Sequence, residues 1–394
     1  MTDELSMSKQ NKKLVRITTI PESLKTLLTG QCQFMNQYFH VVGISSDGIE
    51  LDRVSKNEGI RVIPLNMTRK ITPAKDLVAL LQLYRILKKE KPYIVHTHTP
   101  KAGVLGMIAA KMAGVPHRLH TIAGLPLLET KGLKRLLLNQ VEKLTYASAT
   151  KVYPNSKGLM DIVLKNKYTS ASKLKVLANG SSNGIDTGYF NPELFTAKER
   201  LILKQKLDIS SQDVVFTFIG RIVKDKGINE LISAFKQLLE SQPNVKLLFV
   251  GDYEREQDPI FPENEVFMRQ SDKIILVGWQ NDVRPFLSIS DCLVFPSYRE
   301  GFPNVVMQAG AMGLYTIASD INGCNEIIQD QINGSLIPVK DSQALYNAMK
   351  NWIVNSQKIK EQGAMYRKLI RESFEREYVW EALLKEYKEL DNQV

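Results

Sequence analysis

The stretch Pro296-Ser-Tyr-Arg-Glu-Gly-Phe-Pro-Asn304, running on into Val305-Val-Met-Gln308-Ala-Gly-Ala-Met-Gly313, decides how this chain is read. A hydrophobic run, Cys292 to Phe295, stops at Pro296. A polar loop with Gly301 and Pro303 follows, then a helical pattern of small and apolar residues. The order is strand, loop, helix start. The first N–H groups of a helix have no partner within it and point beyond the strand end, which favours an anion there. Glu300, in the loop, adds a carboxylate that accepts from hydroxyls. The combination suits a ligand carrying both phosphate and polyol.

Strand-like and helix-like segments alternate on both sides of this stretch, which predicts an α/β fold with largely parallel sheets. In the first half, Leu14–Ile20, Phe39–Ile44, Val62–Leu65, Tyr93–His96, Arg118–Ile122 and Lys151–Tyr153 read as strands. Helical patterns such as Asp76–Lys89 and Lys101–Ala113 lie between them, with Asp76 early in its helix and Lys88 and Lys89 at its end, as the helix dipole favours. Asn183-Gly-Ile-Asp186-Thr-Gly-Tyr-Phe190-Asn-Pro192 is dense in turn formers, and a linker is expected at about 187–207. Strands then resume at Val214–Gly220, Val245–Val250, Ile274–Val277, Cys292–Phe295 and Tyr315–Ala318. The halves share a pattern but no sequence repeat. The last segment, Phe374 to Leu390, is amphipathic.

A chain of 394 residues has room for two domains. Its 43% hydrophobic and 24% charged content is that of a soluble globular protein, and no apolar run is long enough to span a bilayer. Met1 to Lys13 is polar and lacks the apolar core of a secretion signal. Cys32, Cys292 and Cys324 form no metal-type pair, so a reducing cytosol is expected. The net charge of +10 is uneven. Residues 1–200 carry roughly 30 Lys and Arg against 15 Asp and Glu, about +15, and the remainder about −5. No helix-turn-helix, zinc-finger or RRM pattern points to nucleic acid. An anionic bilayer or a lipid diphosphate fits the basic half better, although scattered solvated lysines would give the same balance.

Four further segments carry candidate chemistry. In Phe218-Ile-Gly220-Arg221-Ile-Val-Lys-Asp-Lys226-Gly227 a strand ends at Gly220 and a helix begins near Gly227. Arg221 and Lys226 are either surface cations or a clamp on a diphosphate. Gly278-Trp279 follows another strand, and Trp279 is either a core aromatic or a ligand-stacking one. In His96-Thr97-His98-Thr99-Pro100-Lys101, His96 and His98 share a strand face, but no third ligand at metal spacing follows. His98 and Lys101 are either part of a capping loop or contacts to substrate. The fourth segment is His117-Arg118-Leu-His120-Thr121-Ile-Ala123-Gly124-Leu-Pro126. Two more stretches, Leu24–Leu28 and the basic Lys131-Gly-Leu-Lys134-Arg135-Leu-Leu-Leu138, are either core-facing helices or parts of a membrane interface. There is no Asp-x-Asp, Gly-x-Ser-x-Gly or His-Glu-x-x-His, and no metal or cofactor is expected.

Glu-Gly-Phe-Pro-Asn with a polar residue eight positions after the Glu, together with Gly-Arg, four residues, then Lys-Gly, resembles the retaining glycosyltransferases of family 4. The likeness extends over nearly the whole chain. It implies the GT-B fold: two Rossmann-like domains facing a central cleft, here 1–187 for the acceptor, 188–372 for the nucleotide sugar, and a helix over 373–394 crossing back to the first. It also implies that Arg221 and Lys226, with Gly220, hold the donor diphosphate and act with Glu300 as the catalytic set. Glu300, Gly301, Phe302, Pro303 and Asn304 would hold the sugar and phosphate, and Gly278 and Trp279 the nucleobase. Gln308 stands where the family has an acid for the ribose. Gly30 stands near the position of a Gly-rich loop at the donor phosphate. Ala123, beside Gly124, stands where the family has a His near the donor sugar's C6 hydroxyl, and His120, three residues earlier, does not simply replace it. The donor then lacks that hydroxyl, another group substitutes, or activity is lost. His98, Lys101, His120, Ala123 and Gly124 form the expected acceptor side.

The resemblance implies transfer from a nucleotide diphosphate sugar, UDP-linked, to a polyprenyl-diphosphate-linked saccharide. The protein would be peripheral on the cytoplasmic face of the cell membrane, in capsule, O-antigen or related glycan assembly. A sugar-nucleotide 2-epimerase and a degenerate sugar-nucleotide-binding subunit are the alternatives, the latter because of Ala123 and Gln308.

Overall fold

The computed structural model describes residues 12–390 except 69, 126, 128, 129 and 257. Its contacts divide the chain into two units. The first is Met1–Gly184 together with Arg376–Val394, and the second is Ile185–Glu375. The second is thus inserted in the sequence of the first. The two passages of the chain lie side by side: Ile185 N–H donates to the Phe374 carbonyl at 2.8 Å, and Ile185 bridges Glu375 in parallel.

In the first unit, β1 (Lys13–Ile17), β2 (His40–Ser45), β3 (Arg61–Pro64), β4 (Ile94–Thr97), β5 (His117–Ile122) and β6 (Lys151–Pro154) form a sheet in the order β3-β2-β1-β4-β5-β6. Every pairing is parallel, with Leu14 opposite Val41 on one side and Ile94 on the other. Both faces are covered, so the strands read as continuous apolar runs. On one face the helices Pro73–Glu90 and Pro100–Ala113 bury Leu83, Leu87, Met107 and Ala110 against Val15, Ile17 and Val95. On the other, Leu14, Ile94 and Leu119 meet Leu24, Leu28, Leu383, Leu384 and Tyr387. The last three come from the helix Arg376–Glu389. Leu24 and Leu28 are therefore core residues and not a membrane contact. The first strand ends at Ile17, short of the expected Ile20, and the Thr18 hydroxyl donates to the Ile20 carbonyl in the turn that follows.

The second unit repeats the plan. β7 (Val214–Ile219), β8 (Val245–Val250), β9 (Ile274–Leu276), β10 (Cys292–Phe295), β11 (Tyr315–Ser319) and β12 (Gly334–Ile337) pair in parallel in the order β12-β11-β10-β7-β8-β9. Counted from its own first strand this is the same doubly wound order as in the first unit. β12 was not expected, since Gly334-Ser335-Leu-Ile is short and opens on two poor strand formers. The expected linker at 187–207 instead contains the helix Ala197–Lys206, fixed by a capping box between Thr196 and Glu199. One core unites the sheet with the helices Ile228–Leu239, Asn304–Ala311, Ser342–Val354 and Gly363–Phe374.

Candidate active site

In a doubly wound sheet, ligands bind beyond the carboxyl ends of the strands where the order reverses. In the second unit that point lies between β7 and β10, the strands that end at Gly220 and Pro296. The loops after them interlock. Lys224–Lys226 form one 3₁₀ turn, and Gly227 follows in the left-handed region at φ +70°. A Cβ on Gly227 would lie 2.1 Å from the Pro296 carbonyl oxygen, so only glycine lets the two loops approach. Tyr298 N–H donates to the Asp225 carbonyl at 2.9 Å, and Arg299 Nη2 reaches Asp225 Oδ2 at 2.9 Å. The Tyr298 hydroxyl donates to Glu230 at 2.7 Å, and with burial this carboxylate raises the phenol's pKa.

This scaffold brings Lys226 and Glu300 together. Lys226 Nζ is ion-paired to Glu300 Oε1, with both side chains largely buried. Ser297 Oγ donates to the same oxygen at 2.9 Å, and Asn322 Nδ2 donates to the Glu300 carbonyl. The helix Asn304–Ala311 starts immediately behind, after Pro303, with no side-chain cap on its first N–H groups. Phe302 turns its ring into the core, 5.4 Å from Phe374, so it offers the site only backbone. Gln308 is half-buried on that helix. Arg221, at the end of β7, is exposed and donates to Glu254 at 2.7 Å. Gly278 takes positive φ, and Trp279 is 65% exposed, which removes the core-aromatic reading. Among the described residues no group of three or more His, Cys, Asp or Glu side chains could hold a metal ion.

The first unit treats its expected site residues differently. Lys101 is held by Asp76 at 2.7 and 2.9 Å, which makes it a structural ion pair. His120 is buried on the helix side of the sheet, where it bonds Thr97 Oγ1 at 2.7 Å and packs on Gly103. Burial lowers its pKa to about 4. It is a core histidine and not a ligand contact. Gly30 N–H donates to Glu58 at 2.6 Å, and a Cβ there would meet Trp380, so its amide is already engaged. Ala123 and Gly124 follow β5, half-buried, while Pro126 lies outside the described residues. His96 and His98 share a face, ring centroids 4.2 Å apart, but Arg16 lies against both, and a fixed cation there opposes a metal.

Arg16, Ser297 and Asn322 were not singled out in the sequence. An arginine within the apolar Leu14–Ile17 strand was the available signal. Ser297 and Asn322 carry none beyond being polar next to strand ends.

Two doubly wound parallel sheets of the same strand order are the architecture of the GT-B fold. The profile described as glycosyl transferases group 1 matches residues 199–371, and that described as glycosyl transferase 4-like matches residues 20–156. The capsular polysaccharide biosynthesis glycosyltransferase CapM of Staphylococcus aureus is 33% identical over 95% of this chain and 96% of its own. An Escherichia coli UDP-Gal:alpha-D-GlcNAc-diphosphoundecaprenol alpha-1,3-galactosyltransferase is 33% identical over 72% of each. Anabaena Alr3699/HepE, solved with UDP and glucose, superposes with a TM-score of 0.81 at 17% identity, covering 96% of this chain and 100% of its own. The chain belongs to the family 4-like, group 1 glycosyltransferases.

Proposed function

We propose that this glycosyltransferase moves a sugar, with retention, from a UDP-sugar to a polyprenyl-diphosphate-linked saccharide at the cytosolic membrane face, in surface polysaccharide assembly. The observation that carries the reading is the Lys226–Glu300 pair, braced by Ser297 at the switch point of the second sheet. Bound donor would separate the pair: the diphosphate takes Lys226, and sugar hydroxyls take Glu300. Arg221 adds a second cation once it leaves Glu254, and the uncapped helix start at Asn304 adds unpaired N–H groups. Together they neutralise the diphosphate as the sugar C1–O bond breaks. The acceptor oxygen bonds to C1 on the face the diphosphate leaves, and its proton passes to a phosphate oxygen, so no protein nucleophile is needed. Gln308 accepts from the ribose, and the exposed Trp279 lies against the base. The Escherichia coli relative, whose name specifies a UDP-sugar donor and a diphosphoundecaprenol acceptor, supports the substrate classes.

Ala123 favours a donor without a C6 hydroxyl, because a methyl beside a methyl buries apolar area and strands no polar group. The deciding experiment measures transfer to a synthetic lipid-diphosphate saccharide from paired UDP-sugars differing only at C6. A C6 hydroxyl without a partner should lower use of that donor roughly 5- to 150-fold, and Ala123→His should narrow the gap. A preference for the hydroxylated donor ends the C6 reading. Conversion of UDP-sugar without acceptor would reveal an epimerase, and donor binding without turnover on any acceptor a binding subunit.

A further inference from the structure

Beside the Lys226–Glu300 pair lies a second ion pair, made by the residues that precede them in the two loops. Asp225 precedes Lys226, Arg299 precedes Glu300, and Arg299 Nη2 donates to Asp225 Oδ2 at 2.9 Å. The loops thus run in step, 225 against 299 and 226 against 300, with the signs reversed from one rung to the next. Opposite charges alternate along each loop as well as across them, so each rung supports the other. The neighbours hold the second rung in place. Asp225 N–H donates to Asp258 Oδ2 at 2.7 Å, and Tyr298 N–H donates to the Asp225 carbonyl at 2.9 Å. The Tyr298 hydroxyl reaches Glu230, on the helix Ile228–Leu239 that continues the first loop.

The second rung is nevertheless incomplete. Arg299 Nε and Asp225 Oδ1 are buried and have no hydrogen-bond partner among the described residues. Nε–H lies on the same edge of the guanidinium as the Nη2–H that bonds Oδ2, and Oδ1 is the other oxygen of the same carboxylate. The orphan donor and the orphan acceptor are therefore the two halves of the second prong of a bidentate arginine–carboxylate bond. Buried polar atoms are nearly always paired, so something holds this fork one prong short. The neighbouring rung is in position to do so. Lys226 and Glu300 each follow a residue of the fork by one peptide, and their close contact fixes the offset of the two loops.

We propose that Arg299 and Asp225 are positioning residues for the transfer, and that their fork closes to two prongs when a nucleotide diphosphate parts Lys226 from Glu300. The inference rests on the donor binding proposed above. Closing satisfies the two orphan atoms as the first pair is lost, which offsets part of the cost of opening it. It also keeps the loops at a fixed spacing, so that the ammonium and the carboxylate are both held to one donor. Neither Arg299 nor Asp225 need touch the donor.

The test measures binding of UDP, GDP and ADP to the full-length protein by calorimetry, with ligand-free melting temperatures alongside. Arg299→Lys keeps the charge and a single bond but lacks the planar edge with two donors. It should melt like the parent without ligand, yet bind the preferred diphosphate roughly 10- to 150-fold more weakly. Asp225→Asn, which keeps the shape and one acceptor oxygen, repeats the measurement if Arg299→Lys does not fold. In a Lys226→Ala background no first pair holds the fork open. Arg299→Lys should then cost no further affinity and lower the ligand-free melting temperature instead. Equal affinity in parent and Arg299→Lys overturns the proposal. So does a loss of the same size in the Lys226→Ala background, which would make the fork a structural brace alone. If the parent binds none of the three diphosphates, the donor reading itself fails and takes this inference with it.

Discussion

Both sheets run in the same order about their switch points, yet the charges set there differ in kind. In the second unit a cation meets an anion: Lys226 is paired with Glu300, and nearby Arg221 with Glu254. In the first, Arg16 is sealed among neutral acceptors, with Gln31, His98 and His96 around it and the Tyr387 ring 5.6 Å away. All five histidines of the chain belong to the first unit and none to the second. A lysine–carboxylate pair is exchangeable, because a ligand with phosphate and hydroxyls can satisfy each partner in turn. A buried guanidinium held by uncharged groups has no such alternative, and it fixes tautomers and strand ends permanently. One fold thus carries an exchangeable ion pair at one switch point and a fixed cation at the other.

Acid should separate the two units most strongly. His96, His98 and His120 have folded pKa values depressed below the unfolded histidine value of about 6.5. Their contribution is present above that pH and is lost as pH falls through the window toward about 4, the value for His120, because the unfolded chain then binds more protons. Each histidine contributes up to about 1.4 kcal/mol per pH unit, so the three approach about 4 kcal/mol per unit. Glu142, whose carboxyl burial holds above its usual range, offsets one proton. Urea unfolding between pH 7 and 5, followed by hydrogen exchange, should show the first unit weakening before the second. Equal loss in both would break the contrast.

Lys226→Ala should cost about 2–4 kcal/mol of transition-state stabilisation, roughly 30- to 1,000-fold in transfer rate, with little change in melting temperature. Near-normal turnover would remove Lys226 from the reaction. Arg16→Met should behave in the opposite way, lowering stability by about 1–3 kcal/mol for each acceptor left unpaired, at Gln31 and His98. A thermal melt unchanged from the parent would show that the buried cation is dispensable.

The smallest effect concerns the surface. The helix Gly132–Ser148 exposes Leu133, Leu136 and Leu137, at 84, 59 and 52%, beside Lys134 and Arg135. With the basic balance of residues 1–200, this motivates binding to anionic membrane, at about 1 kcal/mol per basic residue near the surface. Flotation with anionic liposomes should fall as salt rises, and equal flotation with neutral liposomes would rule out an electrostatic origin.

What the sequence disclosed follows the range over which each signal acts. Apolar runs such as Val245–Val250 and Cys292–Phe295 read directly as strands because both their faces are buried. β12 escaped because Gly334 and Ser335 are dictated by close packing, a Cβ on Gly334 lying 2.4 Å from the Thr316 carbonyl oxygen. That Arg221, Lys226 and Glu300 would lie near one another was legible because their loops leave two neighbouring strands at one switch point. Lys101 and His120 were misjudged because only the tertiary fold brings Asp76 and Gly103 against them. Arg16 shows the same blindness reversed, since a lone arginine in an apolar strand gives no hint of which side chains will surround it.

The insertion of residues 185–375 into the first unit has a consequence for synthesis on the ribosome. The cover of one face of the first sheet is completed by Leu383, Leu384, Tyr387 and Leu390, which are translated after the whole of the inserted unit. Domains usually fold as they emerge, N-terminal first. Here the N-terminal sheet is complete in sequence at Pro154 yet waits, with the face over Leu14, Ile94 and Leu119 only partly covered by Leu24, Leu28 and their neighbours, while more than two hundred further residues are made. The inserted unit, continuous in sequence, can close before its host does. A nascent chain of this kind invites a chaperone to that half-covered face, and a premature stop codon before residue 376 would leave it half-covered for good.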